Sequence, residues 1–450
     1  MNIQRRFAPI SSHFEPKRVV GFRRICIYLL VLFLPFQRLE VVIGPIGVSL
    51  VDLITWSWLL AYGIRILEGR THKTKLNLFV AFWLLATLIS GVVAMNKVVF
   101  LVALGSRTSY AMILIASYYE LYKRPQMLRS ITNLYIGVAL FVALFGGLQL
   151  VGLIPSPLVD PFFGQLIGSG GRLRMSSFLS NSNLLAGYLS VAVFFSWAMY
   201  RQSFGSRQLK YLASFVLLMI AVLFTFSRAG YLGIGAGVMV LFMVGNRRKL
   251  RGRFFKIVSG TLLVAFLLVL LFTAYNILFR RTSGSLSALG GIVELDSSNR
   301  KRLIFWETAI NMYKSSPIVG VGAGQFNIQF ENYVPLQHHF FAVNNVHTTV
   351  HNTYLQILTE SGLLGLAAFL ALFGYIVLTA LRAKGSAPNL RQGVKGSLAG
   401  LVSLLMIGLT HNMVMTEIWL IAGLVLAYTQ QYQASKEAPK YQILRRRSIS

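Results

Sequence analysis

Long apolar runs recur along the 450-residue chain, each bounded by a short polar or basic connection. A helix of about 20 mostly apolar residues is long enough to cross the hydrocarbon core of a bilayer. Runs of that kind lie near 25–43, 50–67, 76–95, 98–118, 131–152, 182–200, 210–227, 229–245, 255–278, 355–381, 395–413 and 416–431. The expected fold is therefore all-α, a polytopic integral membrane protein with about twelve transmembrane helices. Composition points the same way: 12% of residues are charged, where soluble domains run near a quarter.

The distribution of charge sets the orientation. With the N-terminus inside, the inner segments are the N-terminal tail, 65–75, 119–130, 201–210, 247–256, 382–395 and the C-terminal tail. These segments hold 31 of the 43 Lys and Arg residues, the bias that keeps connections in the cytoplasm. The formal charge of +30 is explained by this bias, and nucleic acid is not an expected partner. The basic N-terminus precedes an apolar stretch without a small-residue cleavage site, so the first helix reads as uncleaved. Cys26, the one cysteine, can form no disulfide within the chain and reads as a packing residue. The domain reading is a cytoplasmic tail over 1–24, then helices one to nine over 25–278 with an outer loop at 153–181. A large extracytoplasmic loop over 279–354 follows, then helices ten to twelve over 355–431 and a basic cytoplasmic tail over 432–450.

Loops longer than about 15 residues tend to be functional or disordered. The 279–354 loop is not of low complexity. It holds Trp306 and an apolar-periodic stretch, RLIFWETAINMY at 302–313, which predicts an amphipathic helix folded as a cap on the membrane domain. Basic residues on the outer side run against the topological trend. They include Arg172, Arg174, Arg228, Arg280, Arg281, Arg300, Lys301, Arg302 and Lys314. A phosphate-rich ligand would account for them, because a guanidinium donates two parallel bonds to phosphate oxygens. For Arg280 and Arg281, at the end of a span, snorkelling is the better account. Arg228 stands between two apolar runs in FTFSRAGYLG, where a charge usually marks a pathway or a site.

Five of the seven histidines, His338, His339, His347, His351 and His411, fall on the outer side. His347 and His351 share the i, i+4 spacing of some metal sites, but no HExxH carboxylate accompanies them, and no metal is expected. A histidine accepting a hydroxyl proton is one reading of His351, and a hydrogen-bonded structural histidine is the other. No motif pairs two outer carboxylates as glycosidases do. GVGAG at 320–324 lacks the GK[ST] ending of a phosphate-binding loop. No cofactor is expected.

Four segments taken in order resemble the O-antigen ligase and O-antigen polymerase superfamily. They are RLRMSSFLSNSNLLAGYL (172–189), TFSRAG (225–230), RLIFWETAINMYKSSPIVGVGAGQF (302–326), and His351-Asn352 followed by nine residues and then Gly362 and Gly365. The resemblance covers about 170–370 by motif and the remainder by topology. The segment 172–189 has Ser-Asn-Ser-Asn where the family commonly has Asn-Pro-Asn, and His347 adds a second histidine one turn before His351.

The resemblance implies a GT-C-like helical membrane fold with an outer-facing cavity in the bacterial cytoplasmic membrane. It implies a saccharide donor on undecaprenyl diphosphate and a metal-independent transfer. Arg228 and Arg302 would bind the donor diphosphate, with Arg174 as a further binding arginine and Arg300 as a rival to Arg302. His351 would act on the acceptor hydroxyl, and Asn352, Gly362 and Gly365 complete the motif. The acceptor is lipid A core or a similar glycan for a ligase. For a polymerase it is the next lipid-linked repeat unit of O-antigen, capsule or exopolysaccharide. A transporter is the reading from another class; Arg107 is the main charge inside an apolar run that would favour it.

Overall fold

The computed structural model describes residues 17–37, 40–43, 46–67, 74–154, 174–244, 297–338, 349–412 and 416–436. The run at 255–278, most of the 153–181 loop, Arg172, Arg280, Arg281, His339 and His347 lie outside the described residues.

Helices follow the apolar runs because an apolar segment must pair its backbone internally to leave water. They are α1 (Lys17–Phe33), α2 (Leu50–Leu67), α3 (Lys75–Ser90), α4 (Lys97–Leu121), α5 (Pro125–Leu150), α6 (Ser182–Gln202), α7 (Gly205–Phe224) and α8 (Arg228–Met243). After these come α9 (Ser297–Ser315), α10 (Phe326–Tyr333), α11 (Thr353–Leu381), α12 (Pro388–Ile407) and α13 (Thr416–Ala434). Five of them, α4, α5, α6, α7 and α11, are long and apolar enough to cross a membrane, and shorter apolar helices cover 50–63, 75–90 and 228–243.

The expected first run needs one correction, and the all-α fold carries one small hairpin beside it. The first helix stops at Phe33 rather than near 43, because Pro35 sits in a 3-10 turn over Leu34–Phe36 and cannot continue the helical ladder. Two strands follow, β1 (Glu40–Ile43) and β2 (Ile46–Ser49), paired antiparallel with Val41 opposite Val48. Their β-branched residues suit a pleated ribbon. Among the described residues this hairpin is the one departure from an all-helical fold.

The core forms around α12, which packs against α6, α8 and α13. Helices α6 and α13 have no polar face and are buried on nearly every side. Small residues allow the close approach. A Cβ on Gly237 of α8 would lie 2.2 Å from the Phe194 ring and 2.8 Å from Ala399 O. The buried Glu120 carboxylate is paired: it accepts from Arg23 Nε at 2.8 Å and also binds Arg124.

The 297–338 segment carries its own small core of Phe305, Met312, Phe326 and Phe330, together with Val350. It grips α11 at a break. Gly362 has φ 62° and ψ −165°, a conformation that side chains resist. Around the break, Val321 N and Gly322 N donate to Thr359 O and Glu360 O at 3.0 Å. Leu363 N and Leu364 N donate to Pro317 O and Ile318 O, at 2.9 and 3.2 Å. The backbone groups orphaned by the kink are thus satisfied by the loop that threads into it. Gln325 closes the far side of that loop, exchanging hydrogen bonds with Asn96 N and O at 2.8 and 2.9 Å.

Candidate active site

Three helix starts lie at one end of the bundle. Asn181 caps α6, accepting from Asn183 N at 2.8 Å. Ser227 caps α8, accepting from Gly230 N at 3.1 Å, and its hydroxyl donates to Asn183 Oδ1 at 2.7 Å, tying the two starts together. Asn352 caps α11, accepting from Leu355 N at 3.0 Å. Each start follows a non-glycine residue in the left-handed region: Ser180 (φ 56°), Phe226 (φ 49°) and His351 (φ 52°). Such conformations cost about 1–3 kcal/mol each and gather at functional sites. Helix starts also carry partial positive charge, which suits an anion.

Two arginines flank the α8 start. Arg174 donates to Thr225 O at 3.1 Å and Phe226 O at 3.3 Å, so its guanidinium holds the turn that presents Arg228. Arg228 occupies the first position of α8, is exposed, and has no acceptor among the described residues.

His351 lies between α9, α11 and α12. Trp306 Nε1 donates to Val350 O at 2.9 Å, pinning the backbone beside it. The imidazole packs between Phe305 and His411, with ring centroids 5.9 and 5.3 Å away. Thr353 secures the α12 side: its N–H donates to Gly408 O at 2.8 Å and its hydroxyl to His411 O at 3.1 Å. His351 Nδ1 is buried and has no hydrogen-bond partner among the described residues. Burial first, and the charge of Arg302 second, hold the imidazole down from its usual 6.5 to about 4. A neutral imidazole with an unclaimed nitrogen can accept a proton.

His351 and Arg302 therefore come together, as do Arg174 and the turn bearing Arg228. The end of α12 links the two pairs: Ile407 packs where a Cβ on Gly233 of α8 would stand, and His411 reaches His351. Arg300 lies on α9, but its side chain is outside the described residues. Gly362 and Gly365 are not at the site. Gly362 makes the kink, and Gly365 leaves room for Ser361, whose Cβ would be 2.2 Å from an added Cβ. Asn352 acts as a helix cap.

Sequence reading passed over the partnership of His411 with His351, and the supporting chain behind it. Asn412 Nδ2 donates to Gln356 Oε1 at 2.8 Å and Gln356 Nε2 to Glu360 Oε1 at 3.1 Å. Glu360 Oε2 accepts from Arg107 Nη2 at 2.5 Å. Among the described residues, no three His, Cys, Asp or Glu side chains are grouped to hold a metal ion.

No curated protein matches the chain. Residues 213–370, running from α7 into α11 and including Arg228, Arg302, His351 and both motif glycines, match the family model described as O-antigen ligase.

Proposed function

We propose that the protein is a glycosyl transferase that moves a saccharide from undecaprenyl diphosphate to an acceptor hydroxyl on the outer face of the bacterial cytoplasmic membrane. The observation carrying this reading is a neutral His351 beside Arg302, at the end of the bundle where Arg228 has no acceptor among the described residues. About twelve spans, a GT-C-like arrangement and an outward-facing site complete it, on the basis of the apolar runs and the charge bias.

In the proposed step Arg228 and Arg302 bind the donor diphosphate, with the α8 start adding its dipole. Arg174 holds the turn that aims Arg228. The acceptor oxygen attacks the anomeric carbon, and the bond from that carbon to the diphosphate oxygen breaks. The hydroxyl proton passes to His351, and undecaprenyl diphosphate leaves with its charge held by the arginines. Direct displacement inverts the anomeric carbon; a product with the donor's configuration would refute it. Donor binding also prepares the base. Its negative charge offsets Arg302, which otherwise disfavours the imidazolium.

The ligase reading has lipid A core or a similar glycan as acceptor, and the polymerase reading has the next lipid-linked repeat unit. The transporter reading loses its main support, because Arg107 is buried against Glu360 and Ser361 and serves the α4–α11 contact. The test supplies purified protein with the host's undecaprenyl-diphosphate oligosaccharide and follows release of undecaprenyl diphosphate with and without lipid A core. Release only with core supports a ligase. Release with donor alone, with longer saccharides, means a polymerase. No release from confirmed cognate substrates overturns the transferase reading.

A further inference from the structure

The opposite end of the bundle holds a second set of cations, and the transfer reaction does not use them. There α8, α11 and α13 end and α12 begins, around a cavity of about 380 Å³ whose lining includes Met243, Val244, Leu381, Lys384, Arg391 and Tyr432. Arg391 Nη2 donates to Val244 O at 3.1 Å, which fixes its guanidinium at the wall. Lys395 lies one turn deeper on the same face of α12. It is only 4% exposed, yet its ammonium has no acceptor among the described residues. The charges acting on it, from Arg391 and Arg201, are both positive.

No described carboxylate answers this charge. Glu120 is bound by Arg23 and Arg124, Glu360 by Arg107, Glu417 by Tyr135, and Asp52 by Ser49. Glu307 and Glu331 lie on the 297–338 segment at the other end. A buried ammonium beside two like charges is unfavourable unless an anion joins it. The first turn of α12, starting at Pro388, also directs the positive end of its dipole to this place.

We propose that this cavity holds the phosphate headgroup of an anionic phospholipid, with Lys384 and Arg391 on the phosphate and Lys395 beneath it. A lipid fits better than a free anion because one wall is apolar. Met243 is 66% exposed and Leu378, one turn before the end of α11, is 47% exposed, so acyl chains have a surface to follow beside the cations. Basic pockets between membrane helices on the cytoplasmic side bind such headgroups, each cation adding about a fivefold gain in affinity.

The test titrates delipidated, detergent-purified protein with phosphatidylglycerol, phosphatidylcholine or inorganic phosphate, reading bound lipid by native mass spectrometry and Tm by thermal unfolding. One phosphatidylglycerol should be retained at least about tenfold more tightly than phosphatidylcholine. Millimolar inorganic phosphate should not displace it. The double variant Lys384→Ala/Lys395→Met should lose about 25-fold in that affinity, and Arg207→Ala, an exposed cation elsewhere on the same side, should lose none. Lys395→Met alone should raise the Tm of the delipidated protein while reducing the Tm gain from phosphatidylglycerol. That pair of opposite signs separates a lost ligand site from a lost fold. Equal retention of the two lipids, or a phosphatidylglycerol gain unchanged in the double variant, would overturn the proposal. Displacement by inorganic phosphate would also overturn it, in favour of a free-anion site.

Discussion

Two polar clusters lie little more than two turns apart along α11, and they are built in opposite ways. At the kink, Arg107 is closed in: Nη1 donates to Ser361 Oγ at 2.7 Å, Nη2 to Glu360 Oε2 at 2.5 Å, and its guanidinium carbon sits 5.4 Å over the Trp83 ring. Among the described residues, His351 at the helix start keeps a buried nitrogen with no partner, and Arg228 beyond it has no acceptor. The first cluster has used its polar capacity on the protein itself. The second has kept it. Burial of charge alone therefore does not mark a site in this bundle; unspent donors and acceptors do. The closed cluster also serves the open one, since Glu360 anchors the chain through Gln356 to Asn412, next to His411.

Substitutions at the two clusters should separate stability from turnover. The largest stability loss is expected for Glu360→Ala, which leaves Arg107 buried and unpaired at a cost of about 3–5 kcal/mol. Thermal unfolding in detergent would show it, and Arg107→Met/Glu360→Met should recover much of the loss. Gly362→Ala comes next, at about 2–3 kcal/mol by the same measurement, because the new Cβ would meet Ile318 O at 2.2 Å in a left-handed backbone. Arg228→Gln should leave Tm unchanged and raise the donor KM by about ten- to a hundredfold, the worth of a charge-assisted contact.

The smallest effect concerns pH. With the imidazole at about 4, kcat/KM of wild type should be flat above about pH 5 and fall below it as His351 protonates. Arg302→Gln removes a charge that opposes protonation, so the acid limb should move to higher pH. The same depressed value bears on stability. The unfolded histidine binds a proton near 6.5, so this contribution is complete above that pH and is lost as pH falls toward 4.

Much of the fold was legible because its elements are local. The apolar runs mark the helices, Ser227-Arg228 marks the division between α7 and α8, and the periodicity at 302–313 marks α9. The hairpin at 40–49 was not, since its valines and isoleucines extend an apolar run as readily as they form strands. The site was legible in part. Arg228, Arg302 and His351 stand in quoted motifs, whereas His411 meets His351 across 60 residues with no spacing to announce it. Arg107 was visible as an odd charge, but Glu360, its partner, is 253 residues away. GVGAG, rejected as a nucleotide loop, turns out to be the strand of backbone that fills the kink at Gly362, a role set by tertiary contact alone.

One rate tests whether the open cluster performs the transfer: release of undecaprenyl diphosphate by His351→Ala, with cognate donor and acceptor, per folded molecule relative to wild type. Loss of the proton acceptor should lower it by about a hundredfold or more, with Tm nearly unchanged. A rate within about twofold of wild type, well short of the range for a general base, would show that His351 is a structural histidine and that the chemistry lies elsewhere.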